Sequence, residues 1–132
     1  MWTKYIKSQV FTRIKTEGTS RLQSQFPNIY FTTSSKASTT AKFPTVYVQR
    51  LQGAEKGRDL EGTSVNAILA GFQIDVIDNK SENNADTVMD VVAETMKSMG
   101  FEMVGSSFSD DTGDEYRVVS RWQRVIGNND VI

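Results

Sequence analysis

Cysteine and histidine are both absent from this 132-residue chain, and proline occurs only twice. Without cysteine there is no disulfide framework and no thiol chemistry, a composition that fits a reducing compartment. Without histidine the commonest general base near neutral pH and the commonest zinc ligand are both missing, so most hydrolase and metalloenzyme mechanisms become improbable. Long apolar runs are lacking too. The N-terminal MWTKYIKSQVF holds no apolar stretch of signal-peptide length, and no segment approaches the roughly 20 apolar residues that span a bilayer. The expectation is a soluble protein of cytosolic origin, without membrane contact, forming one domain over 1–132 whose core needs no staple.

Charge is present but uneven. The net is −1, yet residues 1–60 hold ten Lys or Arg against three Asp or Glu, while residues 61–132 hold five against thirteen. Either the halves mingle in the fold and the surface comes out mixed, or the molecule has a basic and an acidic pole suited to meeting its own copies.

The strongest local signal is NNADTVMDVVAETMKSMG, residues 83–100. Ala85, Val88, Met89, Val92, Met96 and Met99 fall within one arc of a helix, a core-facing stripe. Asn83 or Asn84 is the expected cap and Gly100 the expected stop. Burying the stripe is worth on the order of 10 kcal/mol as an upper bound. Ile6, Val10 and Ile14 predict a first helix over 3–17 ended by Gly18, with a brief resumption from Thr19 to Gln25. NIYFTT and TVYVQRL read as strands, the second with Val46 and Val48 on one face and Tyr47 and Gln49 on the other. Between them SSKASTTAK reads as a mobile loop, and QGAEKGRDLEGTS as a long exposed hairpin connection. AILAGFQIDVID sets Phe72, Ile74 and Val76 opposite Gln73 and Asp75, one buried face and one wet. FEMVGSSF is a fourth strand, DDTGD a turn, and EYRVVSRWQRVI a fifth. The pattern predicts an α+β fold, a largely antiparallel sheet of about five strands with two helices on one face, in the order α-β-β-β-α-β-β.

Chemical motifs are sparse. Asp78-Asn79-Lys80, nineteen residues after Asp59, has the carboxylate-x-lysine form of a metal-dependent nuclease, but no proline precedes Asp59, such triplets are common, and as a strand-to-helix turn it needs no function. Asp110, Asp111, Asp114 and Glu115 lack the spacing of a calcium loop, and GAEKG lacks the Gly-Lys-Ser/Thr ending of a phosphate loop. The methionines at 89, 96, 99 and 103 are core material before they are a soft-metal site. Tyr116 and Trp122 read as core or rim aromatics. Arg117 and Arg121 flank Val119 on one strand face, placed either to clamp acidic groups of a neighbouring subunit or to pair within the chain. No aromatic ladder accompanies the scattered basic residues, so no nucleic-acid module is expected.

The leading helix, FPTVYVQRL, the Gly-rich charged loop, FQIDVIDN, the capped helix ending in SMGF and the closing DEYRVVSRWQRVIG together resemble the tail terminator, or tail completion, proteins of long-tailed bacteriophages. The residues carrying the likeness are Phe43, Pro44, Val46, Val48, Asp75, Val76, Met99, Gly100, Phe101, Tyr116, Arg117 and Arg121. The resemblance implies a structural virion protein, assembled in the host cytoplasm, that forms a hexameric ring on the tail tube and meets the head connector. Its partners would be its own copies, the tail tube protein and a head completion or connector protein, with DNA passing through the lumen unbound. It implies no catalytic residue, cofactor or metal. The expected contacts with subunits or tube are Lys36, Lys42, Arg50, Lys56, Arg58, Asp59, Glu61, Arg117 and Arg121. Another head-tail connector or tube subunit, and a small nuclease centred on Asp78 and Lys80, are the alternatives.

Overall fold

Apolar side chains at every fourth residue build the first helix. Ile6, Val10, Ile14, Gly18 and Leu22 form its buried seam, and α1 spans Ile6–Leu22 after a 3-10 turn at Trp2–Tyr5. This computed structural model describes residues 2–34, 42–58, 65–110, 115–127 and 130–132, the side chains of 2, 3, 52–58, 65 and 66 excepted. The helix does not stop at Gly18, as the sequence predicts; it runs through it. A Cβ there would lie 2.8 Å from Phe31 Cε1 and closer still to Cζ. The glycine is a point of close approach between α1 and the first strand, and the seam continues to Leu22 because burial outweighs glycine's poor helix propensity.

The second helix, α2, spans Glu82–Ser98 and buries Ala85, Val88, Met89, Val91, Val92, Thr95 and Met96. Its cap is Ser81, whose hydroxyl accepts from Asn84 N at 3.1 Å, in place of the expected asparagines. Asn84 instead turns its side-chain amide to Asp78 Oδ2 at 3.3 Å. At the other end Gly100 takes φ +82°, the left-handed conformation expected of it. Phe101 N bonds Met96 O at 3.1 Å and Gly100 N bonds Lys97 O at 3.0 Å, a Schellman closure with buried Phe101 over Met96.

Both helices lie on one face of a six-stranded sheet, and a single apolar cluster joins all three. The strands are β1 Tyr30–Thr32, β2 Thr45–Arg58, β3 Val65–Asp78, β4 Glu102–Met103, β5 Phe108–Ser109 and β6 Tyr116–Gly127. Their order is β1-β2-β3-β6-β4, with β5 also on β6. Among the described residues only β1–β2 is parallel, and the other pairs are antiparallel. The α+β architecture is the one the sequence predicts, with two differences. The expected connection after Leu51 is strand as far as Arg58, because cross-strand pairing with β3 resumes beyond a bulge between Leu51 and Ala54. The expected fourth strand is two short pieces: between Glu102 opposite Gln123 and Phe108 opposite Val119, six steps on the edge face four on β6. Gly105, at φ +72°, sits in that excursion.

Under the helices lie Val46, Val48, Phe72, Ile74, Val76 and Trp122, all 1% exposed or less. Phe72 meets Phe101 edge to face, centroids 5.6 Å apart. Trp122 Nε1 donates to Ser120 Oγ at 2.8 Å, and that hydroxyl donates to Met89 Sδ at 3.2 Å, so the buried polar atoms are paired. Among the described residues no helix is long and apolar enough to cross a membrane.

Two substitutions test these assignments by urea unfolding. Gly18→Ala is expected to destabilise by about 1–2 kcal/mol despite alanine's helix propensity, and Phe31→Leu in the same chain to recover part of the loss. Ser81→Ala is expected to cost about 1 kcal/mol, whereas Asn83→Ala should leave the midpoint nearly unchanged.

Candidate functional site

The face of the sheet turned away from the helices carries the polar residues that the strand alternation exposes. Register fixes who meets whom: Gln73 lies opposite Arg121, Asp75 opposite Val119 and Ile77 opposite Arg117. Arg117 donates through Nε at 3.1 Å and Nη2 at 2.5 Å to Asp75 Oδ2, and through Nη1 at 3.0 Å to Asp110 Oδ2. Gln73 Nε2 donates to Asp75 Oδ1 at 3.1 Å, and its Oε1 accepts from Arg121 Nε at 3.0 Å. The Arg121 guanidinium stands 5.9 Å from the centre of the Phe108 ring. A continuous polar string thus crosses the sheet from Arg121 through Gln73, Asp75 and Arg117 to Asp110.

At its centre Asp75 is 4% exposed in its side chain, although it lies on the uncovered face. A carboxylate so far from water is tolerable only when its oxygens are matched by donors, which Arg117 and Gln73 supply. The hydrogen bonds that Arg117 donates to Asp75, opposed by burial and reinforced by the charges of Asp75 and Asp110, push its guanidinium above its ordinary value. Arg117 is therefore engaged within the chain, one of the two roles open to it in the sequence. Arg121 is exposed, and hydrogen-bonded to an amide.

The other expected contact residues scatter. Lys42 is exposed, its ammonium 5.6 Å from the centre of the Tyr30 ring near the start of β2. Arg50 pairs in register with Phe72, which puts it on the helix side of β2, opposite to Arg117 and Arg121. Lys56 and Arg58 belong to β2. Lys36, Asp59 and Glu61 lie outside the described residues.

Asp78 fastens the turn from β3 into α2. Its Oδ2 accepts from Lys80 N and Ser81 N, each at 3.0 Å, and from Asn84 Nδ2 at 3.3 Å. A hollow of about 280 Å³ beside it is bordered by Phe26, Pro27, Pro44, Lys80 and Asn84. Among the described residues no three acidic side chains converge on a metal position.

One feature escapes a reading of periodicity that follows only apolar residues. Glu82, Asp86, Asp90 and Glu94 recur every fourth residue and are all exposed, an acidic ridge along α2. α1 carries exposed Lys7, Arg13, Lys15 and Arg21, with exposed Lys4 in the turn before it. Arg21 Nη2 reaches Glu94 Oε2 at 2.7 Å, tying the two helices. A basic residue of the first half of the sequence thus meets an acidic residue of the second half across the two helices.

Comparison with known proteins adds no family: no protein-family profile matches the chain, and no curated protein matches it significantly.

Arg117→Ala removes the cation facing a buried carboxylate and is expected to lower stability by about 2–3 kcal/mol in chemical denaturation. The double variant Asp75→Ala with Arg117→Ala should recover most of that loss, because no uncompensated buried charge remains.

Proposed function

We propose that this chain is a structural virion subunit, a tail terminator that closes the tail tube of a long-tailed bacteriophage with a ring of its copies and joins it to the head connector. The observation that carries this reading is the arrangement of the elements that bear the resemblance. FPTVYVQRL, FQIDVIDN and YRVVSRWQRVIG contribute β2, β3 and β6, neighbouring strands of one sheet, and the helix ending in SMGF packs on β3 and β6. Such a subunit acts through its surfaces. Its working parts are the open face with its polar string, the paired β2 and β3, and the charged helical face.

A closed ring needs one surface of a subunit to meet a different surface of the next, and an uneven charge distribution favours such heterologous contacts over like-on-like ones. A lumen that avoids neutralising phosphates lets DNA pass without binding it. A hexamer is the ring size that the resemblance suggests.

Light scattering across protein concentration, alone and with isolated tail tubes, is expected to give a closed oligomer of fixed stoichiometry. Antibody labelling in electron microscopy should then mark the head-proximal end of the tube. Label along the whole tube would make the chain a tube subunit, and label within the head vertex would make it a connector. A monomer under every condition would remove the assembly reading altogether.

A further inference from the structure

We propose that the edge of β2 receives the β4–β5 edge of a second copy, antiparallel, so that the sheet of one subunit continues into the next. This rests on the ring reading above and names the contact that would build it.

The edge is long. β2 has 14 residues, and β1 pairs only with Thr45, Val46 and Tyr47. From residue 48 to 58 no strand among the described residues pairs with that side of β2. Eleven residues of extended chain span roughly 35 Å, a row of backbone donors and acceptors of the kind that templates another strand.

Charge selects the occupant. β2 includes Arg50, Lys56 and Arg58 against one acid, Glu55. Two such net-basic segments would repel each other, which is destabilising. The opposite edge of the sheet, residues 102–110, contains Glu102, contains Asp110 already paired with Arg117, and has no Lys or Arg of its own. It also exposes Val104 at 46% and Phe108 at 45%, apolar surface that a neighbouring strand would cover.

Direction agrees with charge. β2 is antiparallel to β3, β3 to β6, and β6 to both β4 and β5. The two edges therefore run in opposite senses, and a neighbour placed beside the first without being turned over presents β4–β5 antiparallel to β2. Because β1 occupies the first rungs, the neighbour must sit displaced along β2, and such an offset with tilted strands is what closing a sheet requires. The contact joins unlike edges, so it repeats from copy to copy.

The absence of cysteine makes the test direct. Gln49→Cys on β2 is combined in the full chain with Ser106→Cys or Ser107→Cys on the opposite edge, and the protein is oxidised at high concentration. Within one chain three strand spacings, about 14 Å, separate the edges, beyond disulfide reach, so every bridge joins two chains. The expected result is loss of the monomer band into a series of multimers that reductant reverses, with each single variant remaining monomeric. Dimers of Gln49→Cys alone would indicate β2 meeting β2 and overturn the proposal. So would double variants that stay unlinked, and light scattering on the same samples separates two cases. A closed oligomer without bridges removes this contact and leaves the ring reading standing, whereas a monomer throughout removes both.

Discussion

The pairing of β3 with β6 is the constraint on which the rest of this molecule depends. Twelve consecutive residues of β3, from Ala67 to Asp78, are matched to Gly127 through Tyr116 without a slip. Side chains alternate across a strand, so this one register decides both faces at once. It sends Phe72, Ile74, Val76 and Trp122 under the helices and leaves Gln73, Asp75, Arg117 and Arg121 together on the other side. A shift of one residue would bury the charges and expose the core.

Each helix answers to that sheet in a different way. α2 is specified at both ends by its own sequence, through Ser81 and the Gly100–Phe101 closure, and its apolar stripe is continuous. α1 has no side-chain cap, and it holds its length through Gly18 because the glycine lets Phe31 approach. The acidic ridge of α2 works against the helix that bears it, since like charges four residues apart cost about 0.2–0.5 kcal/mol per pair. Arg21 of α1 offsets that repulsion at Glu94. The helical layer is thus held by apolar burial beneath, with this one ion pair across its outer surface.

The two edges of the sheet are treated unequally. The β4–β5 side is broken by an excursion with Gly105 at its tip, a device that limits indiscriminate pairing. On the β2 side, the parallel β1 pairs three rungs among the described residues. A sheet finished in this way has a direction, one edge unlike the other. That asymmetry, together with an uncovered face tied internally by Asp75 and Arg117, is the surface from which the proposed assembly follows.

The sequence by itself determined the elements whose signals are local. The stripe from Ala85 to Met99, the stop at Gly100, the alternation of Phe72, Ile74 and Val76 against Gln73 and Asp75, and hence the α+β class, all follow from periods that neighbouring residues impose on one another. Only the tertiary structure decided that Gly18 is a contact and no terminator, that β2 continues past its glycines to Arg58, and that β1 joins β2 in parallel. It also decided that Arg117 spends its charge on Asp75, 42 residues away, while Arg50 faces the opposite side. These outcomes depend on which strands become neighbours, and that choice is made by burial and hydrogen bonding between segments distant in the chain, which no local pattern encodes.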